Sequence, residues 1–177
     1  MQLLQQGADA FGASIEGSPP LHLCVRMGWQ RLGQTLLALG VDPNAVDVAG
    51  LTALHYAAQL GRVVLLKELL MSGADPERRA ANGQSPLGLA LLNSDAEVQH
   101  WLDWPDWRLP KRRLHAGDLI SAVLAKDQDA VKRLLALAVP VNGFDSKGSN
   151  ALIHACGQGQ LSIVRMLISH GAKIDDP

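Results

Sequence analysis

Apolar residues along this chain fall at helical spacing, and the whole pattern then recurs. In residues 62–72, Val64, Leu65, Leu66, Leu69 and Leu70 line one face of a helix. The stretch before it, residues 50–61, reads as a glycine turn followed by a short Ala-rich helix, with Thr52 as N-cap and Gly61 as its end. Gly73 stops the second helix as a glycine free to take positive φ. Residues 74–81 then run extended to Asn82-Gly83, a tight-turn pair. The same features return at a fixed step. Gly7-Ala8-Asp9, Gly40-Val41-Asp42 and Gly73-Ala74-Asp75 lie 33 residues apart, as do Leu21-His22, Leu54-His55 and Leu87-Gly88, and Gly17, Gly50 and Gly83. His115 follows at 32 and Gly148 at 33, so the phase slips once, by one residue. These marks predict a partial repeat at residues 1–16 and repeats at 17–49, 50–82, 83–114, 115–147 and 148–177.

The repeated unit resembles the ankyrin repeat. Gly50 through Gly61 matches the turn and the Thr-x-Leu-His start of that family's first helix, Leu65-Leu66 and Leu69-Leu70 match its second helix, and Gly73-Ala74-Asp75 matches its closing element. Gly40-Val41-Asp42-Pro43-Asn44 and Val139-Pro140-Val141-Asn142 are variants of that closing element. The resemblance covers essentially the whole chain. It implies an all-α ankyrin-repeat solenoid of helix-turn-helix units joined by β-hairpin-like loops. Physics asks for the same thing, since a 33-residue helix pair cannot bury both of its faces alone and must stack on its neighbours.

Several stretches depart from the pattern. The first unit lacks its first helix and neither end shows a polar cap, which suggests a chain cut from a longer protein. Asp95 to Asp103 begins a second helix that Pro105 and Pro110 break, so residues 103–117 are expected to form an irregular junction between two blocks. The fourth unit has His115-Ala116-Gly117-Asp118-Leu119-Ile120 in place of the regular turn. Its second helix, 129–137, ends at Ala138-Val139-Pro140 without a glycine. Gly33, inside a second helix, reads as a weak point of about 1 kcal/mol relative to alanine.

Composition narrows the function. The chain has 177 residues, a net charge of -1, 47% hydrophobic, 19% charged and 4% aromatic residues. Its 30 leucines and 23 alanines suit helices packed about 8–10 Å apart. The longest apolar run is about eight residues, near 134–141, too short for a membrane span. Met1 to Gln6 carries no signal-peptide pattern. A near-neutral charge gives no reason to expect nucleic acid or a membrane surface as partner. There is no phosphate-cradling loop, nucleophile elbow or metalloprotease helix, and Gly157-Gln158-Gly159 is the end of a repeat's first helix. The expectation is a cytoplasmic, monomeric, non-catalytic protein with no cofactor and no metal. Cys24 and Cys156 replace a small residue of the first helix and read as inert buried thiols. The resemblance gives His22 and His55 a structural role, tying neighbouring hairpins by hydrogen bonds.

Function should therefore lie in binding a protein or peptide partner. The resemblance places the partner on the concave surface, against turn tips and inner first-helix positions. Carried over by position, the candidates are Arg26, Met27, Leu51, Gln59, Leu60, Gln84, Leu92, Asn93, Arg113, Leu114 and Leu124. Met27, Leu51, Leu60, Leu92, Leu114 and Leu124 would make a broken apolar stripe, of the kind that marks an interaction site. Trp104 and Trp107 have two readings: plugs in the irregular junction, or exposed aromatic anchors. Arg108, Lys111, Arg112 and Arg113 are expected beside Arg78 and Arg79 as a basic patch, either a solvated loop edge or a site for an anionic partner. A recognition arm of a larger enzyme or effector is the remaining alternative.

Overall fold

The structure, a computed structural model, shows the local chemistry that sets many of the helices. It describes residues 18–105 and 108–174. The partial repeat at 1–16 and Trp107 lie outside the described residues. Ten helices are present among the described residues, and the chain divides into two compact units.

Unit 1 takes in residues up to Asp103 together with Leu109–Arg113. Its helices pair in sequence: α1 (Pro20–Met27) with α2 (Gln30–Ala38), α3 (Ala53–Gln59) with α4 (Val63–Met71), and α5 (Pro86–Leu92) with α6 (Ala96–Leu102). First helices stack on first helices and second on second, α1 on α3 on α5 and α2 on α4 on α6. Leu54, Leu65, Leu66 and Leu69 are fully buried between these layers. Unit 2 takes in Trp104–Arg108 and Leu114 onward. There α7 (Ala116–Leu124) pairs with α8 (Gln128–Ala136), and α9 (Ala151–Gly157) with α10 (Leu161–Ser169), around Leu119, Leu134, Ile163 and Leu167.

Side-chain caps set where several of the helices start. Ser85 Oγ accepts the Gly88 amide at 3.1 Å, and Pro86 fills the first helical position, where its missing N–H costs nothing. Asp95 and Asp127 cap α6 and α8 by accepting the amides of Val98 and Ala130. The second helices start at residues 30, 63, 96, 128 and 161, which places the one-residue slip in the α6-to-α8 interval.

Three of the five second helices end alike, α6 ends instead through an extended Asp103, and α8 keeps the form without the glycine. Gly40, Gly73 and Gly171 follow the second helices at φ of +87, +94 and +87°. Ala138 holds the same position at +58°, a conformation that costs an L residue about 1–2 kcal/mol. Gly73 is doubly constrained, because a Cβ there would lie 2.5 Å from the Arg112 carbonyl carbon, where residues 109–113 cross it. Gly33 is not a weak point: a Cβ would sit 2.8 Å from Leu65 Cδ2, so the missing side chain lets α2 and α4 approach. Between helix pairs the loops form hairpin tips with isolated antiparallel bridges, Val46 with Thr52 and Phe144 with Asn150.

Two sequence expectations fail at the fourth unit and the last. Helix α7 begins earlier than its counterparts because His115 and Asp118 form a reciprocal cap. The His115 amide donates to Asp118 Oδ2 at 2.9 Å and the Gly117 amide to His115 Nδ1 at 3.0 Å. Ala116 is thus a helical residue rather than a turn tip. Leu114 becomes core at 3% exposure and has no free surface for a partner. Cys24 is buried as expected, but Cys156 is exposed; both thiols are free.

Candidate protein-interaction surface

The surface stands on hairpins locked by two kinds of polar tie. The first uses the buried histidines. His22 Nε2 donates to the Leu51 carbonyl at 2.8 Å, and His55 Nε2 to the Gln84 carbonyl at 3.2 Å. Each links one repeat's helix to the next repeat's turn. His55 Nδ1 in turn accepts the Thr52 amide at 3.1 Å, which fixes its proton on Nε2. Burial pushes the pKa of both rings below the ordinary histidine value, although the bonded carbonyls oppose it. At the position of Thr52 the first repeat has Pro19, with neither N–H nor hydroxyl, so His22 Nδ1 is buried without a partner.

The second tie is an aspartate at the hairpin tip. Asp47 Oδ1 accepts the amides of Ala49 and Leu51 at 2.9 and 3.0 Å, and Oδ2 accepts the Tyr56 hydroxyl at 2.7 Å. Asp145 repeats this in unit 2 with the amides of Lys147 and Ser149 and with His154 Nε2 at 2.8 Å. The Ser149 amide, His154 and the Lys147 amide hold the Asp145 pKa down to about 2. Partial burial raises the Asp47 carboxyl, but its hydrogen bonds outweigh that and leave it lowered. Sequence reasoning missed both carboxylates. The available signal was an aspartate three residues before the turn glycine in both places, Gly50 and Gly148.

The candidate residues sort by exposure within each unit. In unit 1, Met27, Leu60 and Leu92 are 59, 45 and 72% exposed, a high value for side chains of this size. They stand at the C-terminal ends of α1, α3 and α5. Arg26 is exposed and lies over the Tyr56 ring, 5.9 Å from its centroid. Gln59 and Asn93 are exposed, but the Asn93 amide is committed to the Gln59 carbonyl at 2.8 Å. Leu51 and Gln84 are half-buried, and their backbone groups anchor the hairpins. In unit 2, Leu124 is exposed at the end of α7. Trp104 is half-buried there, with the Arg133 guanidinium 5.2 Å from its ring centroid. That contact favours the plug reading over the anchor.

The basic cluster is partly real. Lys111 Nζ lies 2.6 Å from Asp75 Oδ2, which joins residues 109–113 to the turn that carries Arg78 and Arg79. Arg78, Arg79, Lys111, Arg112 and Arg113 are all exposed in unit 1. Arg108 belongs to unit 2. Among the described residues no group of histidine, cysteine and carboxylate side chains could hold a metal ion, and no helix is long and apolar enough to cross a membrane.

Stacked helix pairs with hairpin tips in register define a helical repeat protein. The family model for ankyrin repeats (3 copies) matches residues 1–80, 21–102 and 117–177, and the chain belongs to the ankyrin repeat family. Among solved structures it is similar to the ankyrin repeat domain of Bcl-3, described as a unique member of the IkappaB protein family. The identity is 30%, the match covers 97% of this chain and 78% of that one, and the TM-score is 0.52. A search of curated proteins gave no match. Domains of this family are typically non-catalytic modules that bind protein partners.

Proposed function

We propose that this chain is a non-catalytic interaction module or scaffold of the cytoplasm, built of the five repeats 17–49, 50–82, 83–114, 115–147 and 148–177. It binds an extended peptide or a helix of a protein partner along the ends of its first helices. The observation that carries this reading is that Met27, Leu60 and Leu92, three large apolar side chains, are held out to solvent at the C-terminal ends of the three first helices of unit 1. Free cysteines at 24 and 156 suit a reducing compartment. Leu60→Glu should weaken capture of a partner while changing thermal stability by less than about 0.5 kcal/mol. A partner retained at full strength by the Leu60→Glu chain would rule the row out as the binding surface.

A second reading rests on the exposed cluster of Arg78, Arg79, Lys111, Arg112 and Arg113, which suits an acidic peptide or a phosphate-bearing ligand. Salt separates the two. Binding through the cations should weaken steeply as salt rises, whereas binding through the apolar row should change little.

A further inference from the structure

The described hairpins close in one way. The residue six before a first helix donates its amide to the carbonyl of the residue two before it: Asp47 to Leu51 at 3.0 Å, Ala80 to Gln84 at 2.9 Å and Asp145 to Ser149 at 2.9 Å. Helix α7 begins at Ala116, so in the fourth repeat the donor position falls on Pro110, which has no N–H. That hairpin does not close. The N–H groups of Leu109, Lys111 and Arg113 find no acceptor among the described residues. A stretch of main chain in unit 1 thus keeps its donors open to solvent.

The same stretch is basic. Lys111, Arg112 and Arg113 are exposed on it, and the 2.6 Å contact of Lys111 with Asp75 Oδ2 brings it beside the turn that carries Arg78 and Arg79. Asp75 is fully committed there, since its Oδ1 accepts the Glu77 amide at 3.1 Å. Arg79 donates to the Gly83 carbonyl at 2.9 Å, which steadies the guanidinium without neutralising it. Glu77 is the one exposed carboxylate in residues 75–84 and 109–113.

We propose that residues 109–113, with Arg78 and Arg79, dock an extended acidic segment of a partner protein. Its carbonyls and carboxylates accept from the open N–H groups, and its carboxylates meet the cations. This rests on the anionic-partner reading above and adds the class of ligand and its main-chain contact. Open main-chain donors beside cations suit a peptide, which presents carbonyls at regular intervals as well as charge. Four of the five cations are arginines, whose planar fork matches a carboxylate. A nucleic acid fits less well. The chain carries a net charge of -1, so the positive potential is local and a long polyanion would meet the negative remainder. Neither stretch holds an aromatic residue on which a base could stack.

A labelled peptide alternating Glu and Thr, titrated into the full chain by fluorescence anisotropy and followed by amide hydrogen exchange, tests the proposal. The expected result is binding at low salt that weakens as salt rises, with slowed exchange at the amides of Leu109, Lys111 and Arg113. Arg113→Glu and Arg78→Glu, both at exposed positions, should each weaken the peptide roughly tenfold or more. Leu60→Glu should leave it unchanged. If neither the peptide nor single-stranded DNA of equal length binds, the anionic-partner reading falls as well. Peptide binding that leaves the three amides unprotected, ignores Arg113→Glu, or is weaker than that of the DNA would overturn this inference alone.

Discussion

The two units solve one architectural problem with different side chains. Unit 1 ties each repeat to the next through a buried imidazole, His22 to the Leu51 carbonyl and His55 to the Gln84 carbonyl. Unit 2 has the buried Ile120 at the same register position, facing the next repeat, and relies there on apolar packing. Both keep the aspartate at the hairpin tip, and both join successive loops through an asparagine, Asn44 to the Gly73 carbonyl and Asn142 to the Gly171 carbonyl. The tie at the helix start is thus interchangeable between a hydrogen bond and a methyl-rich contact, whereas the tip and loop ties are retained. A hydrogen bond adds direction and a proton dependence, and an isoleucine adds neither.

Hydrogen exchange followed separately in the two units can break or sharpen this comparison. The largest effect should come from glycine replacement. Gly73→Ala in unit 1 forces a Cβ against the Arg112 backbone and should cost about 3 kcal/mol. Gly171→Ala, at the matching position in unit 2 with open space around it, should cost only about 1 kcal/mol. Equal losses would show that residues 109–113 do not press on Gly73 in solution. Next comes the imidazole tie itself. His55→Ala leaves the Thr52 amide and one bond of the Gln84 carbonyl unmet and should destabilise unit 1 by about 2 kcal/mol, with unit 2 little changed.

Acidification separates the units by the pH window of the loss. His22 and His55 have pKa values lowered in the folded state, so the unfolded chain binds more protons below the ordinary histidine pKa of about 6.5. Their contribution is present above that value and is lost as pH falls through the folded values, in unit 1 alone. Asp145 adds a later loss in unit 2 as pH falls from about 4 toward about 2. If protection in both units decays together between neutral pH and pH ~5, the histidine assignment fails. The smallest effect is a gain. Ala138→Gly should stabilise unit 2 by roughly 0.5–1 kcal/mol by relieving its left-handed backbone, measured as a rise in the thermal midpoint.

Much of the fold was legible because repetition amplifies weak local signals. One Gly-x-Asp means little, but its return at a step of 33 locates the ends of α2 and α4 at Gly40 and Gly73. Legibility failed where a residue's meaning depends on a neighbour far along the chain. Gly33 looked like a propensity defect, and only Leu65, 32 residues on, shows what the missing side chain permits. Leu114 looked like a turn tip because its register was counted from regular repeats. The His115–Asp118 cap moved the helix start and put Leu114 inside. Cys156 takes the first-helix position of Ala58, buried in the second repeat, but in the last repeat that position is exposed. On the candidate surface, the helix-end residues Met27, Leu60 and Leu92 could be read from position, while Leu51 and Gln84 turned out to spend their backbone groups on the hairpins.

The segment 109–113 has a consequence for anyone dividing this protein. The chain leaves unit 1 at Asp103, contributes residues 104–108 to unit 2, returns for Leu109–Arg113, and departs again. No single cut separates the units cleanly. A fragment ending at Asp103 would lose the strap over Gly73 and the Lys111 partner of Asp75, so its lowered stability would say little about unit 1 itself. The residue after which to stop is Arg113, even though that carries a short stretch of the neighbouring unit along with it.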